Sequence, residues 1–222
     1  MFEKLGISRL ASLAVGGLLV FSAPANAGVI TQAVSVASSS NNGTFNNPNN
    51  LANQTGLSAN YISGVTDFDT YLATTTHKEN DPGDSWGATS DNPGQFTDFD
   101  FGVPINLTRL ALFGDDSPNG NNIQDFTILI SNDATFASFA NLGGFTATDT
   151  NLDPIAPQIF DVSNGIGRFV RVQLDSNHGG STYLYGEAVF EASALRVSEP
   201  GSFAILGLAL AGLGFARRRK TA

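Results

Sequence analysis

The chain contains no cysteine, and this absence excludes disulfide bonds, thiolate zinc sites, iron–sulfur clusters and cysteine nucleophiles. Only two histidines, His77 and His178, are present, which argues against His-rich metal sites and multi-histidine catalysis. Basic residues are also scarce: the 222 residues include 11 basic and 20 acidic ones, for a formal net charge of -9. Nucleic acid is therefore not an expected partner, because binding to it requires a basic surface.

Residues 1–27 have the pattern of a secretory signal peptide. Lys4 and Arg9 give the segment a positive start, and the residues from Leu10 to Phe21 are apolar or small. The sequence Ala25-Asn26-Ala27 then offers an A-x-A cleavage site. We predict an N-terminal signal helix that is removed after Ala27; a short buried helix is the alternative interpretation.

The end of the chain combines three features in a fixed order. Glu199-Pro200 comes first, an uncharged apolar run from Phe203 to Ala216 follows, and the cations Arg217, Arg218, Arg219 and Lys220 come next. The apolar run is shorter than the roughly 17–25 residues of a typical bilayer span. Cations directly behind it would nevertheless stay on the cytoplasmic side of a membrane and hold the preceding domain on the outer face. We therefore predict a C-terminal hydrophobic helix that associates with a membrane.

Residues 198–222 resemble the PEP-CTERM sorting signal of Gram-negative bacteria, in which a Glu-Pro motif precedes a Gly/Leu-rich helix and an arginine cluster. Ser198 stands where that family usually has a first proline. The resemblance implies export across the inner membrane, transient anchoring through the C-terminal helix, and removal of the tail by an exosortase-type processing enzyme. It also implies a destination at the cell surface or in an extracellular matrix. A plain C-terminal membrane anchor is the alternative.

Residues 28–195 have the length of a single domain and the pattern of β-strands. Three segments have a period of two: Thr97, Phe99 and Phe101 alternate with two aspartates, Phe126, Ile128 and Ile130 share a face, and so do Val170, Val172 and Leu174. A fourth segment alternates Leu184, Gly186, Ala188 and Phe190 with Tyr183, Tyr185, Glu187 and Val189. This period of two, with Gly, Pro, Asn and Asp between the segments, predicts an all-β, antiparallel sandwich or jelly roll.

The strands occur in the order found in the discoidin (coagulation-factor C-type) family, also called galactose-binding-like domains. The matching pieces, over about residues 60–192, are Ser85-Trp86-Gly87, Phe99-Asp100-Phe101-Gly102, Leu107 to Leu112, Phe126 to Asp133, Arg168-Phe169-Val170-Arg171-Val172 and Glu187-Ala188-Val189-Phe190. The chain resembles this family, and the resemblance implies an antiparallel jelly-roll β-sandwich.

Bacterial relatives in this family often hold a structural calcium ion. The resemblance implies Asp67, Asp69, Thr70 and Glu187 as the ligands here. Between residues 28 and 198, five basic residues stand against 18 acidic ones, and the resulting charge of −13 would attract divalent cations. The alternative is an acidic turn in solvent, with Glu187 facing water.

Ligands of this family bind at loops on one end of the sandwich, through an aromatic platform and planar hydrogen-bonding side chains. Trp86, His77, Tyr183, His178 and Asn177 could supply such a set here, because an aromatic ring stacks on the apolar face of a sugar. Packing of Trp86 into the core is the alternative.

The sequence gives no sign of catalysis. No G-x-S-x-G, H-E-x-x-H or P-loop pattern occurs, and Arg168 and Arg171 are expected to pair with nearby acids. We therefore predict no catalytic residue and a non-enzymatic protein. The expected function is that of an exported surface or matrix protein whose sandwich binds extracellular polysaccharide or another glycan. A purely structural biofilm-matrix or cell-surface protein without a specific ligand is the alternative, and a hydrolase is the third interpretation.

Overall fold

The computed structural model describes residues 28–78, 81–89, 94–114, 116, 119–149 and 152–194. The signal peptide predicted for residues 1–27 and the sorting segment predicted for residues 198–222 lie outside these ranges. The elements in chain order are β1 (Ile30–Thr31), β2 (Ser35–Ser38), a 3₁₀ helix (Pro48–Ala52), α1 (Phe68–Leu72), β3 (Trp86–Thr89), β4 (Gln95–Phe113), β5 (Asp125–Ser131), β6 (Ala140–Thr146), β7 (Pro157–Leu174), β8 (Thr182–Tyr185) and β9 (Glu187–Ala194). Within the described residues, no helix has the length and apolar character needed to cross a bilayer.

The strands form one large antiparallel sheet and one small one. The large sheet has the order β1-β9-β4-β7-β5-β6, and β2 also pairs with β4. The small sheet pairs β3 with β8, so that Trp86 lies opposite Tyr185. The architecture confirms the all-β, antiparallel prediction.

The large sheet folds over on itself because β4 and β7 bend in the middle. Phe99 and Leu110 both lie on β4, about 36 Å apart if the strand were straight. Phe190, which lies opposite Leu110, nevertheless packs edge-to-face on Phe99 with ring centroids 4.8 Å apart. The bend follows Asp100, whose carboxylate accepts a 2.7 Å hydrogen bond from the N–H of Gly102, a residue with φ of 74°. The two halves of the sheet therefore face each other as a sandwich.

The core between the two halves comes from the alternating positions that the sequence predicts. The side chains of Phe99, Phe126, Ile128, Val170 and Val172 are all buried. Arg171, on the outer face, pairs with Asp98, and Arg168 pairs with Asp100, which confirms the predicted ion pairs. Period-two alternation thus identified the strands with one face in the core.

The fourth alternating segment is different from the prediction. It is divided at Gly186 into β8 and β9, which belong to different sheets. In β9, Ala188 and Phe190 enter the main core, and Val189 enters a second core with Phe68 and other residues. Both faces of this strand are covered, because the main core lies on one side and α1 packs on the other, while β1 and β4 pair with its edges.

The registers of the strand pairs define two ends of the sandwich. The bend end consists of Val34, Phe101–Pro104, Asn132–Phe139 and Gly165–Arg168, and Ala194 of β9 lies there opposite Ile105. The loop end is opposite and consists of the segments around His77, Asn122, Ala147 and His178. All five predicted ligand-binding residues are at the loop end.

Candidate functional site

The segments of the loop end are linked to one another by backbone pairing. Isolated bridges join Asn122 to Leu184 and Ile123 to Asn177, and His77 pairs with both Leu57 and Ile155. The structure therefore brings Asn177, His178 and Tyr183 close to the segment around Asn122.

Trp86 does not form the predicted aromatic platform. Its side chain is 0% exposed and packs edge-to-face on Tyr185, with ring centroids 5.8 Å apart. Tyr183 is also buried. The prediction that these two rings stack on a sugar is wrong, because β3 and β8 pair directly over the core and turn both side chains inward. The alternative interpretation of Trp86, packing in the core, is correct.

His77 is likewise a buried residue rather than a surface ligand. Its Nδ1 lies 2.7 Å from the carbonyl oxygen of Lys78, and since a carbonyl only accepts, Nδ1 donates this hydrogen bond. The ring is held between two glycines: a Cβ on Gly56 would lie 2.5 Å from Nε2, and a Cβ on Gly186 would lie 2.7 Å from Cε1. The buried Nε2 makes no hydrogen bond. This packing excludes His77 from a surface site.

Asn177 and His178 are the predicted residues that stay partly exposed at the loop end. The Asn177 amide donates to the carbonyls of Gly180 (2.8 Å) and Thr182 (2.7 Å), and its oxygen accepts from the N–H of Gly179 at 3.0 Å. Nε2 of His178 lies 3.1 Å from the carbonyl oxygen of Ala147. These contacts fix the turn between β7 and β8 before any ligand arrives. The ligand-binding role of both residues stays a prediction.

Three of the predicted metal ligands lie at α1. Asp67 caps this helix by accepting a 2.8 Å hydrogen bond from the N–H of Thr70, and the hydrogen bonds from Thr70 hold the pKa of the Asp67 carboxyl below its usual range. Asp69 accepts two hydrogen bonds from the Arg109 guanidinium, at 2.6 and 2.9 Å. Arg109 also pairs with Glu191, so a protein cation already lies between these carboxylates.

Glu187, the fourth predicted ligand, is separated from this cluster. Glu191 follows it by four residues on the same face of β9, which corresponds to about 13 Å along the strand. The Glu187 side chain is 0% exposed, so the alternative in which it faces water is wrong. Its Oε1 accepts a hydrogen bond of 3.2 Å from the N–H of Gln54, and its Oε2 has no partner. Desolvation raises the pKa of this carboxyl well above its usual range, and the Gln54 N–H offsets that effect only in part.

The four predicted ligands therefore do not fit one calcium ion. Within the described residues, no three His, Asp or Glu side chains are grouped so that they could hold a metal. Of the four, Glu187 has a buried carboxylate oxygen without a hydrogen-bond partner. Calcium binding by the protein stays a prediction from the family resemblance.

Sequence reasoning missed the Asp69–Arg109–Glu191 cluster. Arg109 and Glu191 lie directly opposite each other on β4 and β9. The sequence does contain a signal for this cluster: Arg109 and Glu191 carry opposite charges and lie on two strands that the sequence identifies separately. Without the register between those strands, the pair could not be assigned.

The fold and the sequence together define the class of protein. A family model for the F5/8 type C domain matches residues 35–187, which include β2 to β8 and the first residue of β9. The chain therefore belongs to the F5/8 type C domain family. A second model, the PEP-CTERM protein-sorting motif, matches residues 196–220. No curated protein sequence matches the chain.

Several solved structures are similar in fold. The family 32 carbohydrate-binding module (CBM32) of AlyQ, in complex with 4,5-unsaturated mannuronic acid, is 18% identical, with a TM-score of 0.48 over 72% of this chain and 96% of that one. The family 32 module of C. perfringens NanJ, in complex with galactose, is 12% identical, with a TM-score of 0.45 over 70% and 91%. A pectin-binding module is 12% identical, with a TM-score of 0.46 over 74% and 94%.

Proposed function

We propose that the protein is exported to the cell surface or extracellular matrix of a Gram-negative bacterium, where its sandwich binds extracellular polysaccharide in a non-catalytic role. Membership in the F5/8 type C family and the sorting motif at residues 196–220 support this proposal. The contact surface would be the loop end. It would consist of the turn that carries Asn177 and His178 and the segment around Asn122 that adjoins it.

The observation that carries the proposal is the rigidity of this polar turn. The N–H of His178 donates to the carbonyl of Asn122, and the N–H of Gly180 donates to the carbonyl of Gly120, so the turn is tied to its neighbour through the backbone. Together with the Asn177 bonds, these contacts position the His178 ring without help from a ligand. A site whose side chains are already held in place loses less conformational entropy when a ligand binds. This favours binding of neutral sugars, which form many weak hydrogen bonds.

Binding to immobilised bacterial polysaccharides and to a glycan array tests the proposal. His178→Ala should weaken binding by about tenfold, the equivalent of roughly 1.4 kcal/mol, since one ring contact is lost. Ser163→Ala is the control because Ser163 is exposed on β7 away from the loop end. Both variants should melt at the same temperature as the wild type.

Failure of the wild type to bind any glycan would favour the alternative, a matrix protein that has no specific ligand. Release of new reducing ends from the polysaccharide would instead indicate a hydrolase. Equal binding by the wild type and His178→Ala would place the contact elsewhere on the domain.

The proposal for export includes processing by an exosortase-type enzyme, with transient anchoring through the apolar segment from Phe203 to Ala216. Replacing Arg217, Arg218 and Arg219 by Gln, or Glu199 and Pro200 by Ala, should leave the tail uncut. Mass spectrometry of the exported protein measures this directly. Tail removal that is unchanged in both variants would contradict the assignment of these residues.

A further inference from the structure

The bend end of the sandwich carries an unusual concentration of exposed apolar side chains. Val34 is 69% exposed, Val103 57%, Phe139 54% and Ile166 56%. They are half of the large hydrophobic residues that are exposed in the described ranges; the others are Ile62, Val65, Leu152 and Ile159. Val34, Val103 and Ile166 lie where the backbone passes between the two halves of the sandwich, and Phe139 lies in the loop between β5 and β6, on the same groove as Ile166.

We call these four side chains the rim; they lie as two pairs at this end, Val34 with Val103 and Phe139 with Ile166. Val34 donates its N–H to the carbonyl of Asp100, and its methyl groups lie 3.7 Å from where a Cβ on Gly102 would be, next to Val103. Ile166, opposite Asn106 on β4, borders an open groove of about 400 Å³ that Phe139 lines on its other side. Exposed apolar side chains concentrated at one end of a domain are typical of a contact with a partner or a membrane.

The charge of the domain is distributed unevenly between its ends. At the loop end the described residues include one lysine, Lys78, and the acids Asp81, Asp84, Asp116, Asp125, Asp149, Asp153 and Asp175. At the bend end, the Asp100 carboxylate is neutralised by two hydrogen bonds of 2.7 Å from Arg168. Asp133 accepts hydrogen bonds within its own turn, from Thr135 and Ala137. A surface with anionic headgroups would therefore repel the loop end and tolerate the bend end.

The chain continues from this same end toward its apolar segment. Ala194, the last residue of β9, lies at the bend end opposite Ile105, and Phe203 begins the apolar run nine residues later. Even a fully extended linker of that length reaches only about 30 Å. A tail held in a bilayer would thus keep the bend end close to the membrane surface.

We infer that the bend end rests on the outer phospholipid surface of the membrane while the tail is anchored there. Val34, Val103, Phe139 and Ile166 make the contact, and the acidic loop end points away from the lipid toward its ligands. This inference rests on the proposed anchoring through residues 203–216. It goes beyond that proposal because it assigns a second, lipid-facing surface to the sandwich itself.

The absence of cysteine allows a direct test. Single cysteines are introduced into the full chain as Val103→Cys and Phe139→Cys, and as the control Leu152→Cys, which is 70% exposed at the loop end. Each is labelled with an environment-sensitive fluorophore and reconstituted into vesicles of phosphatidylethanolamine and phosphatidylglycerol. Labels at 103 and 139 should shift to the blue and be quenched by spin-labelled lipid, whereas the label at 152 should do neither.

Each outcome of this test is decisive. Failure of the chain to float with the vesicles overturns the proposed anchoring and this inference with it. Flotation with identical behaviour at positions 103, 139 and 152 overturns this inference alone. A blue shift that depends on protein concentration and occurs without vesicles would assign the rim to a second copy of the chain and also overturn it. The two labelled positions are independent, so misfolding of one variant leaves the other as the test.

Discussion

Replacing Glu187 by Gln should remove a loss of stability that this carboxyl causes as the pH rises from 5 toward 8. The folded state raises the pKa of this carboxyl by desolvation, so it holds the proton at pH values where the unfolded chain has already released it. Stability is then full below the unfolded pKa and falls as the pH rises toward the folded one. The loss is at most about 1.4 kcal/mol for each pH unit, or about 2.7 kcal/mol between pH 5 and pH 7. Gln cannot titrate, and its oxygen can still accept the hydrogen bond from Gln54.

The measurement is urea unfolding of wild type and Glu187→Gln at several pH values from 5 to 8. The readout is the slope of the free energy of unfolding against pH rather than its absolute value, because the Gln amide leaves two buried donors unpaired where the protonated carboxyl leaves one. Asp161→Asn, an exposed acid on β7, is the control for the loss of one negative charge. Equal slopes in wild type and Glu187→Gln would refute the reasoning.

The same experiment in millimolar calcium tests whether Glu187 is a ligand. Calcium would stabilise the charged carboxylate, so the wild type would become more stable and its slope would flatten. Glu187→Gln would show neither effect. A calcium effect of equal size in both proteins would locate the ion at other residues.

Three further predictions follow from the packing and the ion pairs. Trp86→Ala should lower the free energy of unfolding by about 3–5 kcal/mol, measured in urea, because it leaves a cavity in the core. Unchanged stability together with lost glycan binding would instead support stacking of Trp86 on a sugar. Arg109→Met should cost about 1–3 kcal/mol by the same measurement, since the largely buried Glu191 carboxylate loses its cation and keeps only the side-chain hydrogen bond from the Thr108 hydroxyl; an unchanged stability would contradict this reasoning. Hydrogen bonds from Arg109 to Asp69 and from Arg168 to Asp100 lower the pKa of both carboxyls. The stabilisation from these ion pairs is therefore present above the unfolded pKa of 3.8 and should be lost as the pH falls through the folded pKa values. Thermal melts below pH 4 measure this loss, and a melting temperature that stays constant there would contradict it.

The sequence predicted the strands that have one face in the core and one in solvent. Phe99 and Val170 lie in strands of that kind, where burial alternates with every residue. It could not predict that β9 has both faces covered, because that depends on where α1 and β1 pack. For the same reason, Glu187 looked like a surface residue although its neighbours enclose it.

The candidate site was predicted less well than the fold. A tryptophan between polar loops has the same local sequence whether its ring points out to a ligand or in to the core. The small residues Gly87 and Ala88 after Trp86 were the available signal for burial, since they leave room for close pairing with β8. Asn177 and His178 lie in the turn between β7 and β8, where Asn and Gly are typical residues.

The central position of β9 affects how the domain resists a pulling force from its C-terminal side. This strand pairs with β4 along its whole length, and on its other edge β1 pairs with it at Phe190 and Glu191. The hydrogen bonds of an antiparallel ladder lie perpendicular to the strand. Tension transmitted through Ala194 along the strand axis would therefore load these bonds together in shear, rather than open them one after another. A strand paired in this way gives the domain a mechanically strong point of attachment to its C-terminal segment.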